Sequence, residues 1–210
     1  MRLARLLLTL SLAIPALAFG QEPATATATA PAPAPAAAAT VTATATPRVR
    51  VETNVGNFII ELDRLRAPIT VETFIRYVKQ GFYDGLVFHR VVPGFVAQAG
   101  GYTPELTLKP VATNVANESG NGLSNLRGSV GFARSNEPHS GTTQFYINLA
   151  DNVDLNPKPT RWGYAVFGKV TEGMEVVDDI GHRPTGGGGP FDRNVPVEPI
   201  IIAHVELLNE

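Results

Sequence analysis

The chain has 210 residues, no cysteine, 17 basic and 19 acidic side chains, and a formal net charge of −2. So even a balance gives no cationic face for nucleic acid, and without cysteine any folded domain is held by its core and not by disulfides. Hydrophobic residues make up 44% and charged residues 17%, which is ample for a buried core. Residues 1–20 read as a secretory signal. Arg2 and Arg5 supply its positive start, residues 6–19 its apolar run, and Ala16-Leu17-Ala18 small residues at the cleavage spacing. The run is shorter than the ~18 residues of a membrane span, and no Cys follows it for lipid attachment. The expected destination is export, most simply to the periplasm, with an uncleaved signal tethering the chain to the membrane as the alternative. Residues 21–47 are almost wholly Ala, Thr and Pro and read as a disordered linker, since they carry too little apolar bulk to form a core.

Residues 48–210 then form one domain. Residues 50–53 and 57–62 flank Asn54-Val55-Gly56 as an opening hairpin. A helix follows Ala67-Pro68-Ile69, with Thr70 as its expected N-cap, an apolar stripe of Val71, Phe74, Ile75 and Val78, and Gly81 at its stop. Further strands are expected at 87–92, 95–99, 129–133, 144–149, 164–170 and 200–208. A second helix is predicted over 172–180, capped by Thr171, ended by Gly181, and burying Met174, Val177 and Ile180. Gly186 to Gly189 lack the strand and lysine of a phosphate loop and read as mobile surface. Many short strands with only two helices argue for a closed antiparallel β-barrel.

The chemistry concentrates in residues 88–100, Phe-His-Arg-Val-Val-Pro-Gly-Phe-Val-Ala-Gln-Ala-Gly. A lone strand arginine is usually a surface residue, but Arg90 sits in an otherwise apolar stretch, within reach of Phe95 and Gln98 across a Pro-Gly turn. A permanent cation, an aromatic wall and an amide, with no nucleophile, suit holding and twisting a polar backbone better than breaking a bond. Phe95 and Gln98 are three apart, so a regular strand points them to opposite faces. If both line one site, a bulge or strong twist is required.

This stretch, with Tyr83 and Leu86 before it, resembles the signature of cyclophilin-type peptidyl-prolyl cis-trans isomerases. Two further blocks in the same order extend the resemblance to residues 49–208: Gly128 to Arg134 with His139 to Ile147, and Asn148 to Leu155 with Trp162 to Val170. It implies a mainly β fold, a closed eight-stranded antiparallel barrel flanked by two helices. It also implies an isomerase of X–Pro bonds that assists the folding of exported proteins. Catalysis would fall to Arg90, Phe95 and Gln98. Substrate would be held by Val96, Ala133, Arg134, Ser135, Gln144, Tyr146, Leu155 and Tyr164, the last three closing on the proline ring. The family often has Asn at the Arg134 position, and Asp154 stands where many members carry Trp, which puts cyclosporin binding in doubt.

Proline-containing polypeptides are the expected partners, with no nucleic acid, no metal and no cofactor, and the chain is expected to be a monomer. His89, His139, His182 and His204 have no metal-ligand spacing, and His89 reads as structural. Asn117-Glu118-Ser119 fits a glycosylation pattern that is common by chance. Two other classes fit parts of the sequence. One is a holding chaperone using the same groove without turnover. The other is a small-ligand barrel, which explains the strands but not the Arg-Phe-Gln set.

Overall fold

The computed structural model describes residues 46–111 and 113–209, so the expected signal and all but the last two linker residues lie outside the described residues. Pro47 is buried, and its carbonyl accepts from the Leu62 N–H at 2.8 Å.

Strands β1 (Arg48–Thr53) and β2 (Gly56–Leu62) form the expected hairpin, their burial alternating residue by residue as one face meets the core. Helix α1 (Pro68–Lys79) follows. Then come β3 (Arg90–Val92), β4 (Val96–Ala99), β5 (Ser129–Phe132), β6 (Phe145–Asn148) and a 3-10 turn at Val153–Leu155. The chain ends with β7 (Val166–Glu172), α2 (Met174–His182), β8 (Thr185–Gly188), β9 (Phe191–Pro196) and β10 (Ile202–Asn209). Eight strands make one antiparallel sheet in the order β10-β1-β2-β7-β5-β6-β4-β3, flanked by the two helices.

The sheet is open, which corrects the expectation of a closed barrel. β10 and β3 are its two edges, and among the described residues no ladder joins them. Among the described residues the seam is crossed upstream of β3, by a bridge between Val87 and Ile201, by backbone bonds from Phe88 to Ile200 (3.0 Å), Ile202 to Leu86 (2.8 Å) and Gly85 to Ile202 (2.8 Å), and by the Asp84 carboxylate, which accepts from the Val205 N–H at 3.1 Å. Continuing the antiparallel Val87–Ile201 bridge toward β3 would set Pro199, which has no N–H to donate, opposite His89.

Three further expectations change. Helix α1 starts at Pro68 with Ala67 as N-cap, so Thr70 lies buried in the first turn. The free N–H groups are instead met from a distant loop, where the Glu118 carboxylate accepts from the N–H of Ile69 (3.0 Å), the N–H of Thr70 (2.8 Å) and the Thr70 hydroxyl (2.7 Å). Helix α2 begins after Gly173, whose φ of 76° is the left-handed turn, and not after Thr171. It runs on through Gly181, against which Leu149 packs, to His182. Residues 185–196 form a two-stranded hairpin where a mobile glycine loop was expected, and Phe191 stacks on His89 with ring centroids 5.6 Å apart.

The core gathers around Phe74 of α1, whose ring lies 5.1 Å from Tyr83, 5.2 Å from Phe167 and 5.5 Å from Phe145. The expected helix stripe of Val71, Phe74, Ile75 and Val78 is buried there. Val91, Ala97, Phe145 and Ile147 face this core, which leaves their strand neighbours on the opposite face of the sheet.

Candidate active site

That opposite face carries the site. Pairing registers Arg90 with Gln98, Gln98 with Tyr146, and Tyr146 with Gly131, so four strands contribute one continuous row across the sheet. One row along, Val96 pairs with Val92 and Asn148. Val96 and Tyr146 are buried yet stand outside the main core, as expected of residues lining a second apolar surface.

Phe95 joins the row without the anticipated bulge. The β3–β4 register is regular, and Phe95 belongs to the turn preceding β4, so strand alternation does not apply to it. The turn is Val92-Pro93-Gly94-Phe95, closed by a 2.9 Å bond from the Phe95 N–H to the Val92 carbonyl. Proline fits its second position and Gly94, at φ 68°, its third, where a side chain is strained. The Arg90 guanidinium carbon lies 5.9 Å from the Phe95 ring centroid, within cation–π range.

The polar groups form a relay. Arg90 Nη1 donates to Gln98 Oε1 at 3.2 Å, and Gln98 Nε2 donates to Gln144 Oε1 at 2.9 Å. Burial draws the Arg90 pKa below its ordinary value, but a guanidinium stays protonated in proteins and so presents fixed donors. His89, 2% exposed beneath this row, is held to about 4 by burial. The Arg90 charge pulls the same way, against hydrogen bonds to the Val87 backbone and Gln144. His89 is therefore neutral at physiological pH.

The apolar side of the groove is built from the remaining residues. Tyr146 and Tyr164 meet edge to face at 6.1 Å, and the Tyr164 N–H donates to the Leu155 carbonyl at 2.9 Å. Burial pushes the Tyr146 phenol well up, with Tyr164 adding to the effect, so it remains a hydroxyl donor. Tyr146 lies flat across Gly131, where any Cβ would overlap its ring. Ala133 attaches to the groove through its N–H, which donates to the Gln144 carbonyl at 2.9 Å.

Arg134 is tied into the groove wall by its side chain. Its guanidinium lies 4.4 Å from the Tyr164 ring centroid and donates to the carbonyls of Gly163 (3.1 Å), Trp162 (2.7 Å) and Ser135 (2.8 Å). It thus clamps the loop carrying Tyr164. Ser135 is not brought into the row: it is exposed, and its N–H and hydroxyl are both bonded to Ser140 Oγ. Asp154 is exposed and paired with Lys158 at 2.9 Å.

Sequence reasoning missed Gly131 and a set of asparagines behind the groove. Asn152 Nδ2 donates to the Phe95 carbonyl at 2.8 Å, and Asn125 bonds the Tyr146 hydroxyl at 2.7 Å. Among the described residues no three His, Cys, Asp or Glu side chains gather as metal ligands, and no helix is long and apolar enough to cross a membrane. A separate cavity, lined by Leu62, Leu65, Leu126, Arg127 and Lys169 among others, shares no residue with this groove.

Comparison with known proteins agrees with the geometry. The family model described as cyclophilin type peptidyl-prolyl cis-trans isomerase/CLD matches residues 48–207. Peptidyl-prolyl cis-trans isomerase A of Dickeya dadantii is 46% identical over 158 residues, covering 75% of this chain and 83% of that protein. The cyp18 isomerase of Streptomyces antibioticus is 45% identical over 161 residues, covering 75% and 96%. Isomerase B of Escherichia coli is 43% identical over 156 residues, covering 73% and 94%. A crystal structure of a cyclophilin-type isomerase from Cryptosporidium parvum superposes with a TM-score of 0.66 at 23% identity, covering 79% of this chain and 99% of that one, a likeness of fold.

Proposed function

Because this chain belongs to the cyclophilin-type peptidyl-prolyl cis-trans isomerase family and isomerises X–Pro bonds in proline-containing polypeptides, we propose that the Arg90 row is its catalytic site. The observation that carries this reading is the convergence of Arg90, Phe95 and Gln98 beside the Tyr146–Tyr164 wall. As an enzyme it turns its substrate over, which sets aside a purely holding role for the groove.

The reaction makes and breaks no covalent bond. Its barrier of ~18–20 kcal/mol is the loss of amide resonance as the bond twists, which leaves X–Pro exchange on a scale of ~tens to hundreds of seconds without a catalyst. In the twisted state the proline nitrogen regains its lone pair and becomes a hydrogen-bond acceptor. A guanidinium N–H of Arg90 donates to it there and finds no such acceptor in the planar ground state, which is the differential stabilisation that accelerates a reaction. Gln98, held between Arg90 and Gln144, fixes the guanidinium and meets the swinging carbonyl. Phe95, Val96, Tyr146, Leu155 and Tyr164 grip the ring, and the Ala133–Arg134 backbone holds the preceding residues. A ~10⁵-fold acceleration asks about 7 kcal/mol of this preorganised, half-dry surface.

The chain works as a monomer, since one copy supplies every residue of the row. It acts after export on proteins folding in the periplasm, a reading supported by Arg2, Arg5, the apolar run of residues 6–19 and Ala16-Leu17-Ala18. A mature form lacking about the first twenty residues is expected in the periplasmic fraction. A chain found uncleaved in the cytoplasm contradicts that location.

The site itself is tested by titrating the isotope-labelled protein with a short Ala-Pro peptide. Amide signals of Arg90, Phe95, Gln98 and Tyr164 are expected to shift and broaden, while those of Leu62 and Lys169 in the separate cavity stay in place. Shifts centred on that cavity would overturn the assignment.

A further inference from the structure

We propose that Asn125 is the positioning residue of the proline pocket, holding its Tyr146 wall and its Leu155–Tyr164 wall at a fixed separation. The inference rests on the pocket reading above and adds to it a residue from the loop before β5.

Asn125 is 0% exposed. An asparagine amide has two N–H donors and an oxygen with two lone pairs, and all four are engaged. Oδ1 accepts from the Tyr146 hydroxyl at 2.7 Å and from Asn148 Nδ2 at 3.2 Å. Nδ2 donates to Asn156 Oδ1 at 3.0 Å and to the Tyr164 carbonyl at 3.4 Å. The backbone adds two more bonds: its N–H donates to Asn156 Oδ1 at 2.8 Å, and its carbonyl accepts from the Asn152 N–H at 2.7 Å.

A polar group taken wholly out of water is costly unless satisfied, and a fully satisfied network tolerates one arrangement. Here that arrangement runs through the pocket walls. Tyr146 is held by its hydroxyl, Tyr164 by its carbonyl, and Leu155 through the adjoining Asn156. Phe95 is reached through Asn152, whose Nδ2 donates both to the Phe95 carbonyl at 2.8 Å and to Asn148 Oδ1 at 2.7 Å. Three wall positions, 21 to 39 residues from Asn125, are thus bonded to its side-chain amide, and Phe95 is joined at second hand through Asn152. An apolar residue at 125 would leave the buried Tyr146 hydroxyl without its acceptor, while Asn156 would keep only the bond from the residue 125 backbone N–H. A residue that merely kept its loop folded would have no bearing on which ring the pocket accepts, whereas a spacer between the two walls sets that choice.

The test is a comparison of matched peptides with proline, or its six-membered homologue pipecolate, at the reacting position. It uses the full chain as wild type, Asn125→Ala, Tyr146→Phe and the double variant, each shown to be folded. In Asn125→Ala the proline-over-pipecolate ratio of kcat/KM is expected to fall about tenfold, the scale of one or two lost hydrogen bonds, with most of the change in KM. Tyr146→Phe keeps the ring and loses only the hydroxyl, so it shifts the ratio the same way by about threefold and decides the matter should Asn125→Ala not fold. The double variant falls no further than Asn125→Ala, because both changes break the same contact. A folded variant that keeps the wild-type ratio overturns the inference and leaves the pocket reading intact. A wild type indifferent to ring size overturns the pocket reading itself.

Discussion

Arg90 and His89 are adjacent in sequence and divide between them the two uses of a basic side chain. Arg90, half-buried on the groove face, offers a charge that does not titrate. His89 faces Tyr102 and Phe191, and burial keeps it neutral down to about pH 4. Two consequences follow, with opposite pH behaviour. Catalysis has no group titrating between about pH 6 and 8, so kcat/KM is expected to be flat there. Stability is not flat at lower pH. The folded value of His89 lies below its unfolded value, so the unfolded chain takes up a proton between about 6.5 and 4 that the folded chain refuses, and stability falls as pH drops through that window by about 3 kcal/mol. His204, raised by its bond to Asp84, acts the other way, its contribution present at low pH and lost as pH rises through its folded value. His89→Gln is therefore expected to flatten the decline of the urea midpoint between pH 6.5 and 4. An unchanged decline would place its origin elsewhere.

At the scale of elements, the site depends on short pieces meeting in register. β3 and β4 have three and four residues, and the Pro93-Gly94 turn between them brings Phe95 over Arg90. Helix α1 shows the same economy, since its N-terminus is capped from 48 residues away by Glu118. Losing that carboxylate removes acceptors for two backbone N–H groups at the positive end of the helix. Glu118→Ala is expected to cost about 1–2 kcal/mol in chemical denaturation with kcat/KM unchanged, and an unaltered midpoint would show that Thr70 and solvent replace the cap.

How much of this was legible in the sequence follows from what each signal depends on. Alternation in residues 48–62 and the stripe through Val71, Phe74 and Val78 report local burial, so the hairpin and α1 could be read directly. The grouping of Arg90, Phe95 and Gln98 in space could be read because they cluster in one short run with an unusual composition. The Thr70 cap misled because the true cap lies in another segment, and the glycines of β8 pair with β9, whose Phe191 packs on His89 and Tyr102, a partner no local signal shows. Asn125 gave no local signal. Its partners are 21 to 39 residues away, and before they are placed it is one polar loop residue among many.

For the whole molecule, the open sheet separates two tasks. One face, centred on Phe74 and supported by α1, supplies the core that holds a cysteine-free chain together. The other face carries the Arg90–Gln98–Tyr146–Gly131 row, the proposed site for substrate. The seam between β10 and β3 lies at the Arg90 edge, bridged through Val87 and Phe88, so the strand bearing the guanidinium is tied across it without a ladder. On the proposed mechanism Arg90 acts on the twisted bond and not on the resting one. Its most direct test measures the cis–trans exchange rate of an Ala-Pro peptide and the affinity for that same peptide, in parallel, for wild type and a folded Arg90→Ala variant. In the variant kcat/KM is expected to fall by ~10²–10³ while the dissociation constant changes by less than about threefold. Near-wild-type exchange, or a loss of affinity as large as the loss of rate, would contradict it.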